Sequence, residues 1–278
     1  MERVLADFIL DCEAGGLSEN TVRLYRRNIR QFIEYCPKAI NDVTSADVSA
    51  FLAHLRRKGL RPHTVHQRYR TLRTFFRWAR RHGYIDHDPM EGVRRPRLPK
   101  MLVPRLTLEQ VRVLLEAVES TQYPERNRAL VLLMVDSGLR LGEVLGLRVN
   151  DVRDGYVVVV GKGRKQRRVP IGLATQDAIS AWLDVRPEDD EYLFPGLTAN
   201  AVRLMLRRLG RKIGVARLYP HLLRHTFANL YLARGGDLRT LQKILGHADV
   251  QTTAMIYTEP NINDLQVKHS KYSPLAEK

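Results

Sequence analysis

Apolar residues recur along most of this chain three or four apart, the spacing of one face of a helix. In "SENTVRLYRRNIRQFIEYC", Val22, Tyr25, Ile29, Phe32 and Ile33 keep that period and Ser18 is placed to cap the N-terminus. "TSADVSAFLAHLRRKGL" begins with Thr44 and Asp47 three apart, a capping box, and Gly59 is placed to stop the helix. "RPHTVHQRYRTLRTFFRWARRHGYI" carries Val65, Tyr69, Leu72, Phe75, Phe76 and Ala79 on one face. Beyond residue 105 the helical period returns. Thr107 and Gln110 form a second capping box ahead of "VRVLLEAVES", "RNRALVLLMVDSG" predicts a buried helix ending at Gly138, and "LRLGEVLGLRVNDVRDG" predicts a short helix and a turn. One stretch departs from this pattern. "YVVVVGKGRKQRRVPI" has a β-branched run, a Gly-Lys-Gly turn and a second extended segment, which predicts a hairpin with a basic tip. Helices resume in "TANAVRLMLRRLGRKIG", "HLLRHTFANLYLARG" and "DLRTLQKILGH". The fold class expected is mainly α, with an N-terminal helical bundle and a mostly helical second domain holding one small antiparallel sheet.

Between the two helical regions lies "DPMEGVRRPRLPKMLVPRLT", in which Pro89, Pro96, Pro99 and Pro104 suppress helix and stiffen an extended chain. The division expected is a helical domain over 1–93, a basic proline-rich linker over 94–104, and a second domain with a C-terminal tail over 105–278. The tail, "NINDLQVKHSKYSPLAEK", has too few apolar residues to fold alone and needs a groove to dock in.

Charge narrows the partners. Lys and Arg number 46 against 30 Asp and Glu, a formal charge of +16. That excess points to polyphosphate or an anionic membrane surface. No apolar run approaches the ~18 residues of a membrane span, and the acidic N-terminus does not read as a signal peptide, so the reading is a cytoplasmic, nucleoid-associated protein whose partner is nucleic acid. The helix around residues 64–82 bears Arg68, Arg70, Arg73, Arg77, Arg80 and Arg81 with few carboxylates to pair with them, and the linker adds Arg94, Arg95, Arg97 and Lys100. These are expected to contact phosphates, as are Arg164 and Lys165 at the hairpin tip. Cys12 and Cys36 read as small core residues, and no His/Cys pair has zinc-ligand spacing, so no metal or other cofactor is expected.

Five short motifs remain: "GLRLGE" with Arg140 and Glu143, "GKG" with Lys162, "HLLRH" with His221 and Arg224, "LGH" with His247, and Tyr257 ten residues after that histidine. Each alone has an ordinary structural explanation: a packed tyrosine, a solvated turn lysine, histidines on a buried helix, an arginine at a helix C-terminus. Their joint order, over roughly residues 105–260, resembles the tyrosine recombinase, or phage integrase, family. The N-terminal region resembles that family's SAM-like core-binding domain, and the overall length resembles the Xer group and the short integrases. The resemblance implies a two-domain clamp around DNA and an active site of Arg140, Lys162, His221, Arg224, His247 and the nucleophile Tyr257, with Glu143 as a supporting carboxylate. It also implies a site-specific recombinase that cuts double-stranded DNA at its recombination site through a 3′-phosphotyrosyl bond and a Holliday junction. Such an enzyme works as a tetramer on DNA, either of this chain alone or with a paralogue, and the tail packs into a neighbouring protomer.

The chemistry fits those residue types. A phenol attacking a phosphodiester needs charge stabilisation on the nonbridging oxygens, which two guanidinium groups supply by bidentate hydrogen bonds. On this reading Arg140 and Arg224 grip the phosphate. His221 accepts the tyrosine proton or supports the phosphorane, His247 donates to a nonbridging oxygen, and Lys162 protonates the leaving 5′-oxygen. Fixed cations then take the place of a metal ion. Two other functions stay open: a type IB topoisomerase, which would relax supercoils without exchanging strands, and a noncatalytic protein that only grips duplex DNA.

Overall fold

The computed structural model describes residues 1–99, 104–161, 166–187 and 189–246. The chain divides into two compact units, Met1–Met101 and Leu102–Lys278. Among the described residues the structure is mainly helical, with one small antiparallel sheet.

The first unit holds α1 (Glu2–Ala14), α2 (Glu19–Tyr35), α3 (Ser45–Arg57) and α4 (Pro62–Arg81). The sequence starts these helices with its own caps. Ser18 Oγ accepts from the Thr21 N–H at 3.4 Å. Thr44 Oγ1 accepts from the Asp47 N–H at 3.3 Å while Asp47 accepts from the Thr44 N–H at 2.9 Å. Each cap satisfies backbone donors that the first turn leaves without partners. The expected apolar face of α4 is buried at all six positions, Val65, Tyr69, Leu72, Phe75, Phe76 and Ala79. Phe32 stands edge-on to Phe51 and Phe76, with ring centroids 5.2 and 5.8 Å away, a favoured aromatic geometry. One polar pair lies inside this core, where Asn28 Nδ2 donates to Thr71 Oγ1 at 3.0 Å.

The basic face of α4 needs one correction. Arg70, Arg73, Arg77, Arg80 and Arg81 are exposed, but Arg68 is not. It is 8% exposed and its Nε donates to Gln31 Oε1 at 2.7 Å. Arg68 falls one residue before Tyr69, at the edge of the apolar stripe, and its long stem packs there. It belongs to the α2–α4 contact and not to the exposed row. The linker arginines Arg94, Arg95 and Arg97 are exposed, and Arg95 Nε donates to His66 Nε2 at 2.9 Å.

The second unit holds α5 (Leu108–Val118), α6 (Pro124–Ser137), α7 (Leu141–Leu145), then β1 (Val152–Arg153), β2 (Tyr156–Val160) and β3 (Gln166–Pro170). It continues with α8 (Leu173–Leu183), α9 (Ala199–Lys212), α10 (Pro220–Ala233) and α11 (Leu238–Leu245). Thr107 and Gln110 form the expected capping box on α5, at 3.1 and 2.9 Å. Helix α6 runs through the centre of the core, with Ala129, Leu130, Val131, Leu133 and Met134 fully buried. The sheet has the order β1-β2-β3, and in its hairpin Val157 pairs with Val169 and Val159 with Arg167. Val157, Val159 and Val169 face the core. No helix among the described residues is long and apolar enough to cross a membrane.

Helix α8 is an element the sequence pattern does not announce. Its N-cap is Gly172, which has no side chain to cap with. The cap comes from another helix: Asp136 Oδ2, on α6, accepts from the Gly172 N–H and from Thr175 Oγ1, both at 2.7 Å. Asp136→Ala should therefore destabilise the protein by about 1–3 kcal/mol, the cost of a missing cap and an orphaned hydroxyl. A urea titration would measure this, with faster hydrogen exchange concentrated in the first turn of α8. Unchanged stability would mean that solvent replaces the carboxylate at no cost.

Candidate active site

Three helix ends converge in the second unit, and arginines tie them together. Helix α6 stops at Gly138, whose φ of 63° is left-handed and suits a residue without a Cβ. A Cβ here would also sit 2.4 Å from the Phe227 ring. The turn exposes the Gly138 carbonyl and leads straight into Arg140, the N-cap of α7. Arg224, on α10, is 3% exposed. Its Nη1 donates to Gly138 O at 2.6 Å and its Nη2 to Leu245 O at 2.8 Å. One guanidinium thus joins the C-terminal ends of α6 and α11. Each end carries roughly half a negative charge from its helix dipole, so the cation is held where the backbone favours it.

Glu143 organises the neighbouring part. Its Oε2 accepts from the Arg140 N–H at 2.8 Å and its Oε1 from Arg140 Nη1 at 2.9 Å. Arg167 of β3 adds a bidentate pair to the same carboxylate, at 2.9 and 3.0 Å. Burial acts most strongly on this carboxyl and pushes its pKa up. The Arg167 hydrogen bond, the Arg140 backbone N–H and the charges of both arginines more than offset that, so it ends below the ordinary glutamate value and stays ionised. Arg140 keeps a half-exposed side chain, 39% accessible.

His221 lies in the first turn of α10, one turn before His225, with ring centroids 6.4 Å apart. His221 is exposed, yet desolvation is the main cause of a lowered pKa; the charges of Arg224, Arg140 and Arg203 lower it further. His221 is therefore held in its neutral form, able to accept a proton, in a positive field that an entering phosphate would relieve. His225 is pushed down to about 4, first by burial and then by His221 and Arg224.

The structure thus brings together Arg140, Glu143, His221 and Arg224. Lys162, Arg164, Lys165, His247 and Tyr257 lie outside the described residues, as does Lys100 in the linker. Among the described residues, Val160 closes β2 and Gly246 closes α11. Two arginines near the site were not picked out from the sequence. Arg203, on α9, is an exposed cation in a basic run, and nothing in its local sequence marks it as a neighbour of His221. Arg167 had a signal. On a two-residue alternation it shares the inward face of β3 with Val169. Among the described residues no cluster of His, Cys, Asp or Glu could hold a metal ion.

Residues 104–263 match the phage integrase family, and residues 4–85 match the phage integrase N-terminal SAM-like domain. The chain is 33% identical to the tyrosine recombinase XerC of Pseudomonas syringae pv. tomato, over 94% of this chain and 92% of that protein. It is 34% identical to XerC of Xylella fastidiosa, over 99% of this chain and 98% of that one. In fold it is similar to the XerH site-specific recombinase bound to a palindromic difH substrate in a post-cleavage complex, with a TM-score of 0.75 at 22% identity over 95% of this chain and 82% of that one. The chain belongs to the phage integrase family and is a tyrosine site-specific recombinase.

Proposed function

We propose that this recombinase cuts and rejoins duplex DNA by the attack of Tyr257 on a phosphate held by Arg140 and Arg224. The observation that carries the reading is the fixed, buried guanidinium of Arg224, set beside neutral His221 and half-exposed Arg140. Such a cluster suits a pentacoordinate phosphate, whose charge grows on the nonbridging oxygens as the bond forms. The phenol oxygen bonds to phosphorus, the 5′-oxygen leaves with a proton from Lys162, and the phenol's proton passes toward His221. The product is a 3′-phosphotyrosyl bond and a free 5′-hydroxyl. Attack by the 5′-hydroxyl of a partner strand reverses these steps and reseals the DNA through a Holliday junction. His247 donates to a nonbridging oxygen.

The partner is a DNA duplex, consistent with the palindromic difH substrate in the XerH complex. We assign the exposed α4 arginines and the linker arginines to its phosphates, acting on nucleoid DNA in the cytoplasm. On two sites the working form is a tetramer, of this chain alone or shared with a paralogue, with the C-terminal tail linking neighbours. Binding should weaken steeply with salt. Replacing Arg73 and Arg77 together by Ala should lower the slope of log K against log salt by about 2, one unit for each phosphate no longer neutralised. Binding isotherms at several salt concentrations would show it, and an unchanged slope would remove that face of α4 from the interface.

The test of the function is a nicked suicide substrate incubated with the full chain in EDTA. A covalent adduct mapping to Tyr257 is the expected result. Tight binding without an adduct would favour the noncatalytic reading. Relaxation of supercoiled plasmid without exchange between sites would favour the topoisomerase reading.

A further inference from the structure

Glu143 is asked to serve two arginines, and the way it divides itself between them has a consequence for the reaction. A carboxylate offers about four acceptor positions. All four are taken here: two by the Arg167 fork, one by Arg140 Nη1 and one by the Arg140 backbone N–H. The strong bidentate geometry belongs to Arg167. Arg140 spends a single side-chain N–H on Glu143, and its other side-chain donors are unengaged among the described residues. Glu143 is only 8% exposed, so its charge has to be met by cations and not by water.

Arg167 makes a second tie. Its Nε donates to Ile244 O at 3.0 Å, and its guanidinium lies across Gly246, where a Cβ would stand 2.8 Å from Cζ. With φ at 63°, Gly246 closes α11 directly before His247. One side chain on the hairpin therefore holds both the carboxylate that bonds Arg140 and the Gly246 turn that ends α11.

We infer that Arg167 is a positioning residue: by occupying Glu143 it keeps the Arg140 fork free for the scissile phosphate, and by bonding Ile244 it ties β3 to the end of α11. This rests on the reading of Arg140 proposed above. Without Arg167, the remaining cation in contact with Glu143 among the described residues is Arg140. Arg140 would turn its fork onto the carboxylate, and the same donors would then be withdrawn from the phosphate. No bond to DNA is made by Arg167 itself.

The test uses the full chain and single-turnover cleavage of the nicked substrate. Arg167→Gln should slow cleavage by about 100-fold, the scale of losing one preorganised donor, while half-site affinity stays within about threefold because it is spread over many phosphate contacts, of which one is weakened. Arg167→Lys should recover part of the rate, since it restores the charge but not the fork. The distinguishing variant is Arg167→Gln combined with Glu143→Gln. Removing the carboxylate charge releases Arg140, so the double variant should cleave faster than Arg167→Gln alone. A merely structural role predicts the opposite, two defects that multiply. The defect should also be the same on a substrate with sulfur at the leaving position. Full rescue by sulfur would transfer the effect to Lys162 and overturn the inference, as would a double variant no faster than Arg167→Gln alone. If Arg167→Gln melts below the assay temperature, Arg167→Lys carries the same test, and Glu143→Gln should relieve its defect too. A wild-type chain that binds the half-site and makes no adduct overturns the proposed function instead.

Discussion

Tyr257→Phe is expected to abolish the covalent protein–DNA adduct while half-site affinity changes by less than about twofold, because only the nucleophilic oxygen is removed and the ring stays. The loss is of a bond-forming atom, not of a stabilising contact, so residual cleavage should fall to the background of the assay. Gel-shift titration and denaturing electrophoresis of the suicide-substrate reaction read the two quantities separately. A Phe variant that still forms the adduct would move the nucleophile to Tyr272 or another tyrosine.

The second large effect is at Arg224, where structure and chemistry depend on one group. Arg224→Lys should slow cleavage by about 10²–10³-fold, since a point charge cannot bond Gly138 O and Leu245 O and also present a fork to the phosphate. Arg224→Ala should add a loss of stability, about 1–3 kcal/mol for each buried carbonyl left without its donor. Single-turnover rates and urea midpoints separate the two contributions. Cleavage by Arg224→Lys within tenfold of the parent would mean that the site needs only a positive charge there.

Local chemistry explains which features the sequence reveals. Ser18, Thr44 and Thr107 cap their own helices within three residues, so those starts can be read directly. The apolar face of α4 follows from period alone. Arg68 could not be placed from period, because it flanks the stripe and its burial depends on Gln31 of a different helix. Helix α8 is hidden for the same reason, its cap being an aspartate 36 residues earlier. In the site, Arg140, Glu143, His221 and Arg224 stand in short motifs with characteristic spacing. Arg167 is hidden among the other charges of the hairpin, because its role depends on which face of β3 meets the core and on Ile244 of α11.

The cap that α6 lends to α8 also bears on how the chain folds as it leaves the ribosome. The acceptor Asp136 emerges first, and its donors Gly172 and Thr175 follow after the whole β-hairpin has been made. Until then the Gly172 amide and the Thr175 hydroxyl lack the placed carboxylate that accepts from them, and an eleven-residue helix is marginal by itself. Its nucleation therefore waits on the placing of α6. A translation pause before α8 would leave α6 exposing the surface that α8 later covers, a window in which a chaperone has something to hold.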